Sequence, residues 1–128
     1  MADAIVAPGG IKSTSTDGIG YNAGAGGTVT QATSKSTGVA LNKICGDITL
    51  NAASLAAGAI VSFTLTNTAI AAQDNVILIH SSVGTVGAYL LNAQPAAGSC
   101  VINVRNTSGG ALAEAIVIRF TVIKSVTA

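Results

Sequence analysis

Few side chains in this 128-residue chain can carry chemistry, and their spacing favours none of the common arrangements. His80 is the single histidine, followed directly by Ser81 and Ser82. A serine beside a histidine invites a nucleophile–base reading. That catalysis also needs a group to orient the base and a shared geometry, which adjacency does not supply. A hydrogen-bonded histidine at the end of a strand is the better expectation. Glu114 is the single glutamate, and the aspartates are scattered at Asp3, Asp17, Asp47 and Asp74, so no motif pairs two carboxylates for hydrolysis. Cys45 and Cys100 fit neither a zinc nor a redox spacing and are expected as two buried thiols. A disulfide between them requires an oxidising compartment. Gly24-Ala25-Gly26-Gly27 is glycine-rich, but no strand precedes it and no helix start follows, so it fails as a phosphate cradle. Asn106-Thr107-Ser108 matches a glycosylation sequon, read as chance without a secretory signal. No catalytic, cofactor-binding or metal-ligating residue is expected, and no enzymatic turnover.

Composition narrows the choice further. Of the 49% apolar residues, 23 are alanine, and only Tyr21, Phe63, Tyr89 and Phe120 are aromatic, so the core must be thin. Charged residues make up 9% of the chain with a net charge of +1, which gives no electrostatic case for nucleic acid or an anionic membrane. The six bases Lys12, Lys35, Lys43, Arg105, Arg119 and Lys124 do not cluster, and few aromatics accompany them to stack bases. They are expected in solvated or interface roles. A surface so poor in charge has weak protection against self-association, which points to an assembly. No run of eighteen apolar residues is present, so no membrane span is expected. The start MADAIVAPGG lacks the basic and apolar regions of a secretory signal.

The elements that hold these residues read as strands. Residues 1–26 carry Pro8 and six glycines without a usable period and are expected to form an extended arm. Such a terminus is disordered unless it docks on its own body, a neighbour or a larger assembly. From residue 27 to 128 a β-domain is expected. Its first strand, Thr28–Thr33, is rich in Thr, which suits a half-exposed pleated surface. Val39–Leu41 and Ile44–Leu50 follow, and Asn51–Gly58 is expected as a connection with a helical turn. In Ile60–Asn67 the apolar Val61, Phe63 and Leu65 alternate with Ser62, Thr64 and Thr66. Asn75–His80 is uniformly apolar and expected to be covered on both sides. Val86–Ala93 and Ser99–Asn106 form a pair joined by Gln94–Gly98, with Cys100, Ile102 and Val104 on one inner face. Glu114–Lys124 closes the chain, with Ile116, Ile118, Phe120 and Val122 on one side. About eight evenly spaced strands predict an all-β fold, an antiparallel sandwich or jelly roll.

The stretch GTVTQATSKSTGVALN, with GDITLN, VSFTLTN and the closing GSCVINVRNTSGGALAEAIVIRFTVI, resembles small β-rich structural proteins of tailed bacteriophages. The likeness covers residues 27–123, and it describes a scaffold without a catalytic anchor. It implies a virion structural protein, either a capsid decoration (cement) protein or a tail-fibre or spike module that binds a receptor or carbohydrate. It further implies a homotrimer bound to the major capsid protein on the capsid surface, made in the bacterial host cytoplasm. A chain of one domain starting at Met1, without shaft or attachment domain, favours decoration as the expectation. Ile11, Tyr21, Thr28, Val29, Thr30 and Gln31 are the candidate assembly interface. Thr- and Ser-rich strands there would satisfy hydrogen bonds across a contact without burying charge. The arm and first strand would extend that contact by adding to a neighbouring sheet edge.

Overall fold

A computed structural model describes residues 5–128; residues 1–4 of the expected arm, Asp3 included, lie outside the described residues. No helix occurs among the described residues. The strands are β1 (Gly26–Thr30), β2 (Val39–Ala40), β3 (Cys45–Thr49), β4 (Ile60–Thr66), β5 (Asn75–Ser82), β6 (Tyr89–Ala96), β7 (Ser99–Asn106) and β8 (Val117–Ile123). They form two four-stranded sheets, ordered β1-β3-β8-β5 and β2-β4-β7-β6. The fold is all-β and sandwich-like, with the core between the sheets.

The sheets are mixed, which corrects the expectation of a purely antiparallel sandwich. β1 runs parallel to β3, and β2 runs parallel to β4. Parallel neighbours need a crossover between them. Here the crossover is a strand of the opposite sheet. The chain changes sheets after every strand from β1 to β5, so β3 returns beside β1, and β4 beside β2, in the same direction. Only the β6–β7 connection stays within one sheet as a hairpin.

Period-two alternation explains the core. Phe63 and Leu65 on β4, Cys100, Ile102 and Val104 on β7, and Ile118, Phe120 and Val122 on β8 all point inward and are buried. Val61 packs partly buried against them. Fully burying each such side chain contributes roughly 1.5–3 kcal/mol. Two buried asparagines close the ends. Asn67 donates to Lys43 O at 2.6 Å, and Asn106 donates to Leu55 O at 2.9 Å and Gly110 O at 2.8 Å. The sequon asparagine is therefore a core strut with its amide already engaged.

Three local expectations fail for identifiable reasons. The 51–58 connection forms no helical turn; Leu55 instead makes an isolated antiparallel bridge with Leu112. β6 continues through Gln94, Pro95 and Ala96, leaving Ala97-Gly98 as the hairpin turn, with Gly98 at a φ of 76°. Pro95 is tolerated because β6 is an edge strand. β5 is also an edge strand, so its uniform apolar character does not reflect cover on both sides: Ile77 and Ile79 are 47% and 48% exposed.

Candidate functional site

With the inner set turned to the core, the alternate residues of β1, β3, β8 and β5 make an outer face. One row across it reads Thr28, Asp47, Arg119, Ile79, and the next reads Gly26, Cys45, Thr121, Ile77. Arg119 grips Asp47 with two hydrogen bonds, Nε to Oδ1 at 2.8 Å and an Nη to Oδ2 at 3.1 Å. This hydrogen-bonded carboxylate holds the guanidinium's pKa above its usual value. The pair also leaves the face without net charge. Around it lie small and apolar side chains.

Residues 5–25 form no strand and are exposed up to Gly24. They carry Ile5, Val6, Ile11 and Ile19 at 85%, 83%, 62% and 73% exposure, values normal side chains of this type reach only when nothing covers them. The segment is fastened to the body where the Tyr21 hydroxyl donates to Val122 O at 2.6 Å and Lys43 Nζ donates to Gly24 O at 3.2 Å. Between Ile19–Tyr21 and the outer face lies a groove of about 680 Å³, floored by Gly26, Cys45, Gly46 and Thr121. β1 can lie this close to β3 because residue 46 has no side chain: a Cβ there would run into Gly27 O. The groove is mostly apolar in its lining, with the Arg119–Asp47 pair at its wall.

The six candidate interface residues divide. Tyr21 lines the groove, and Thr28 and Thr30 sit exposed on the outer face beside it. Ile11 lies in the exposed segment, outside the groove lining. Val29 turns inward and packs against the core. Gln31 is buried, its Nε2 donating to Lys35 O and Thr37 O at 2.9 Å each and its Oε1 accepting from Asn51 N at 3.0 Å. It presents no free polar atom to a partner.

Lys35 is the largest departure. Expected in solvent or at an interface, it is 3% exposed, with its Nζ donating to Asn51 O and to Glu114 O, the latter at 2.7 Å. Burial pushes its pKa down, partly offset by the charge of Glu114. The turn Ser34–Thr37 places it there: Ser34 N donates to Thr37 Oγ1 at 2.9 Å and folds the chain back over the 51 and 114 carbonyls. The hydroxyl-rich stretch thus serves first as internal fastening of the loop between β1 and β2. Nothing in the sequence separates this lysine from an exposed one, since its partners lie 16 and 79 residues away. Cys45 and the Arg119–Asp47 pair were legible in principle, because alternation along β3 and β8 puts each of them opposite the core-facing set.

A second cluster closes the corner between β5 and β6. His80 Nε2 donates to Val83 O at 2.5 Å, and its ring meets the Tyr89 ring edge-on at 5.5 Å. Glu114 accepts from Thr85 Oγ1 at 2.6 Å, Thr85 N at 2.9 Å and the Tyr89 hydroxyl at 2.8 Å. Those hydrogen bonds, led by Thr85, hold the carboxyl below its ordinary pKa, while burial followed by Glu114 pushes the Tyr89 hydroxyl up. Ser81 Oγ donates to Val117 O at 3.2 Å and makes no bond to His80. The cluster braces a turn in which Val83 holds a φ of 63°, a strained left-handed conformation for a β-branched residue. Of the two thiols, Cys100 is buried and its pKa is raised by burial, whereas Cys45 is only half-buried on the outer face; both are free. Among the described residues, no three of His, Cys, Asp and Glu gather as metal ligands.

No protein-family model, curated protein or solved structure matches this chain.

Proposed function

We propose that the chain is a virion structural protein of a tailed bacteriophage, a capsid decoration protein that cements the head shell from its outer surface. In this reading the mixed-sheet sandwich is assembled as an oligomer of the threefold kind the resemblance implies. Residues 1–26 are an arm that laces onto the major capsid protein. The action is binding without turnover. The observation that carries it is the segment 5–25: four large apolar side chains stand in solvent on a chain fastened to the body near Tyr21 and Gly24. A partner that covers them would gain roughly 25 cal/mol per Å² of apolar surface removed from water. Many copies on a symmetric shell would add their weak contacts through multivalency. No charge on the outer face opposes such packing, since Arg119 and Asp47 neutralise each other.

Two measurements test it. The copy number in purified particles, relative to the major shell protein, is expected to be one or a simple fraction. A few copies per particle would overturn the shell reading and favour the tail-fibre alternative, for which the groove beside Tyr21 is the receptor or carbohydrate pocket. Deleting residues 2–24 should leave the sandwich folded and weaken attachment to shells. Equal decoration by the truncated protein would refute the lacing arm.

A further inference from the structure

Exposed sheet edges carry unpaired backbone donors and acceptors, and native proteins ordinarily blunt them. The two sheets here have four edges: β1, β5, β2 and β6. β2 is two residues long, and β6 carries Pro95. β1 spans only five residues, too short to template much pairing. β5 is different. Its eight residues include no proline, glycine, lysine, arginine or carboxylate, and its single irregularity comes after His80. Asn75–His80 therefore remains a regular, unguarded edge in continuous register with β8.

The side chains around that edge agree with the backbone. Seven large apolar residues stand exposed between residues 26 and 123, and four of them, Ile77, Ile79, Val83 and Val86, belong to β5 or the turn that follows it. No Asp, Glu, Lys or Arg occurs from residue 75 to 104. The nearest charges are already occupied: Arg119 beside Ile79 is paired with Asp47, Asp74 with Lys124, and Glu114 is bound by Thr85 and Tyr89. Arg105, beside Leu90, lies on the other sheet.

We infer that β5 is a subunit interface that takes the β5 strand of a second copy of this chain, antiparallel about a twofold axis through Leu78. An uncharged strand edge is complementary to itself under such an axis, so two identical copies meet without like-charge repulsion. Ile77 of one copy lies beside the partner's Ile79, and the two β1-β3-β8-β5 sheets join into one of eight strands. The inference concerns the chain alone in solution, where it puts a twofold pair in place of the threefold oligomer the resemblance implies, and it stands whether or not the chain decorates a shell.

The test is sedimentation velocity over a dilution series of the full chain, beside Ile77→Lys and Val126→Lys. Both positions are exposed, and Val126 lies beyond β8. Wild type and Val126→Lys are expected at twice the chain mass, dissociating on dilution, while Ile77→Lys runs at the mass of one chain with unchanged circular dichroism. Hydrogen exchange of wild type supplies a second readout: β5 amides not bonded to β8 should lose protection as the dimer is diluted. A single-chain mass for wild type at every soluble concentration overturns the inference and leaves the edge to a different protein. A threefold mass, or β5 exchange independent of concentration, overturns it too.

Discussion

Replacing Lys35 with Met is the sharpest test of how the loop between β1 and β2 is held. Met keeps most of the length and the apolar stem of the side chain but has no donor, so Asn51 O and Glu114 O both lose a charged partner. Hydrogen bonds to a charged group are worth about 1.5–3 kcal/mol each, and part of the loss returns because the ammonium no longer has to be desolvated. The net destabilisation at neutral pH should be about 2–4 kcal/mol, against a total of about 5–15 kcal/mol for a domain of ordinary stability. At about 3–5 °C per kcal/mol, Tm should fall by roughly 10 °C. The pH dependence gives an independent check. The folded protein holds the Lys35 proton less tightly than the unfolded chain, whose value is 10.5. Between the lowered folded value and 10.5 the unfolded state binds more protons, so this group makes wild-type stability rise with pH. Lys35→Met lacks that rise, and the gap between the two proteins should widen as pH increases. Urea unfolding at several pH values measures both effects. A difference under about 0.5 kcal/mol, the size of an ordinary surface change, would refute the buried cradle, as would a gap that narrows with rising pH.

Other substitutions probe other parts of the argument. Gly46→Ala drives a methyl into Gly27 O and Leu41, so it should cost about 1–3 kcal/mol and strip protection from β1 amides in hydrogen exchange; unchanged β1 protection would refute the close approach. Val83→Gly should raise stability by about 0.5–1 kcal/mol, the relief of roughly 1–2 kcal/mol of left-handed strain less the extra freedom of the unfolded chain, and a destabilised variant would show the strain is absent. Asp74 and Glu114 sit below their ordinary values of 3.8 and 4.5, chiefly through Lys124 and Thr85 respectively. Their contribution is present above those values and is lost as pH falls through the depressed folded values, so the denaturation midpoint should drop in acid. Asp74→Asn and Glu114→Gln should each flatten that acid limb; a slope equal to wild type would refute the assignment for that residue.

Period-two alternation made most of the fold legible. It separated Phe63 and Leu65 from Ser62 and Thr64, and Ile118 and Phe120 from Arg119 and Thr121, as the burial shows. Strand direction was not legible in the same way. Alternation says which face a residue takes but carries no information on whether the neighbouring strand runs parallel, and the sheet-switching path of β1 to β6 is a property of the whole chain. The failures at β5 and Lys35 share a cause. A uniformly apolar strand is equally compatible with burial on two faces and with an uncovered edge, and a lysine in a Ser/Thr turn is compatible with solvent or with carbonyls contributed from 16 and 79 residues away. Both choices are made by tertiary neighbours.

The opening of the β-domain shows how composition can serve two purposes at once. Along residues 27–42 the interior takes Gln31, Lys35 and Val39, while Thr28 and Thr30 remain on the outer face. The inward members lock the loop through Gln31 and Lys35, so the outward threonines stand on a braced edge, held by the parallel β1–β3 pairing. A braced, hydroxylated and electrically neutral face loses little conformational entropy when a partner covers it, and leaves no unpaired charge behind. Charged side chains at the same positions would favour solvent over a protein partner. The scarcity of charge and the buried fastening are therefore parts of one arrangement. Fixing the loop from inside with Lys35 frees the outside to be small and uncharged, which is the surface that the proposed contacts would require.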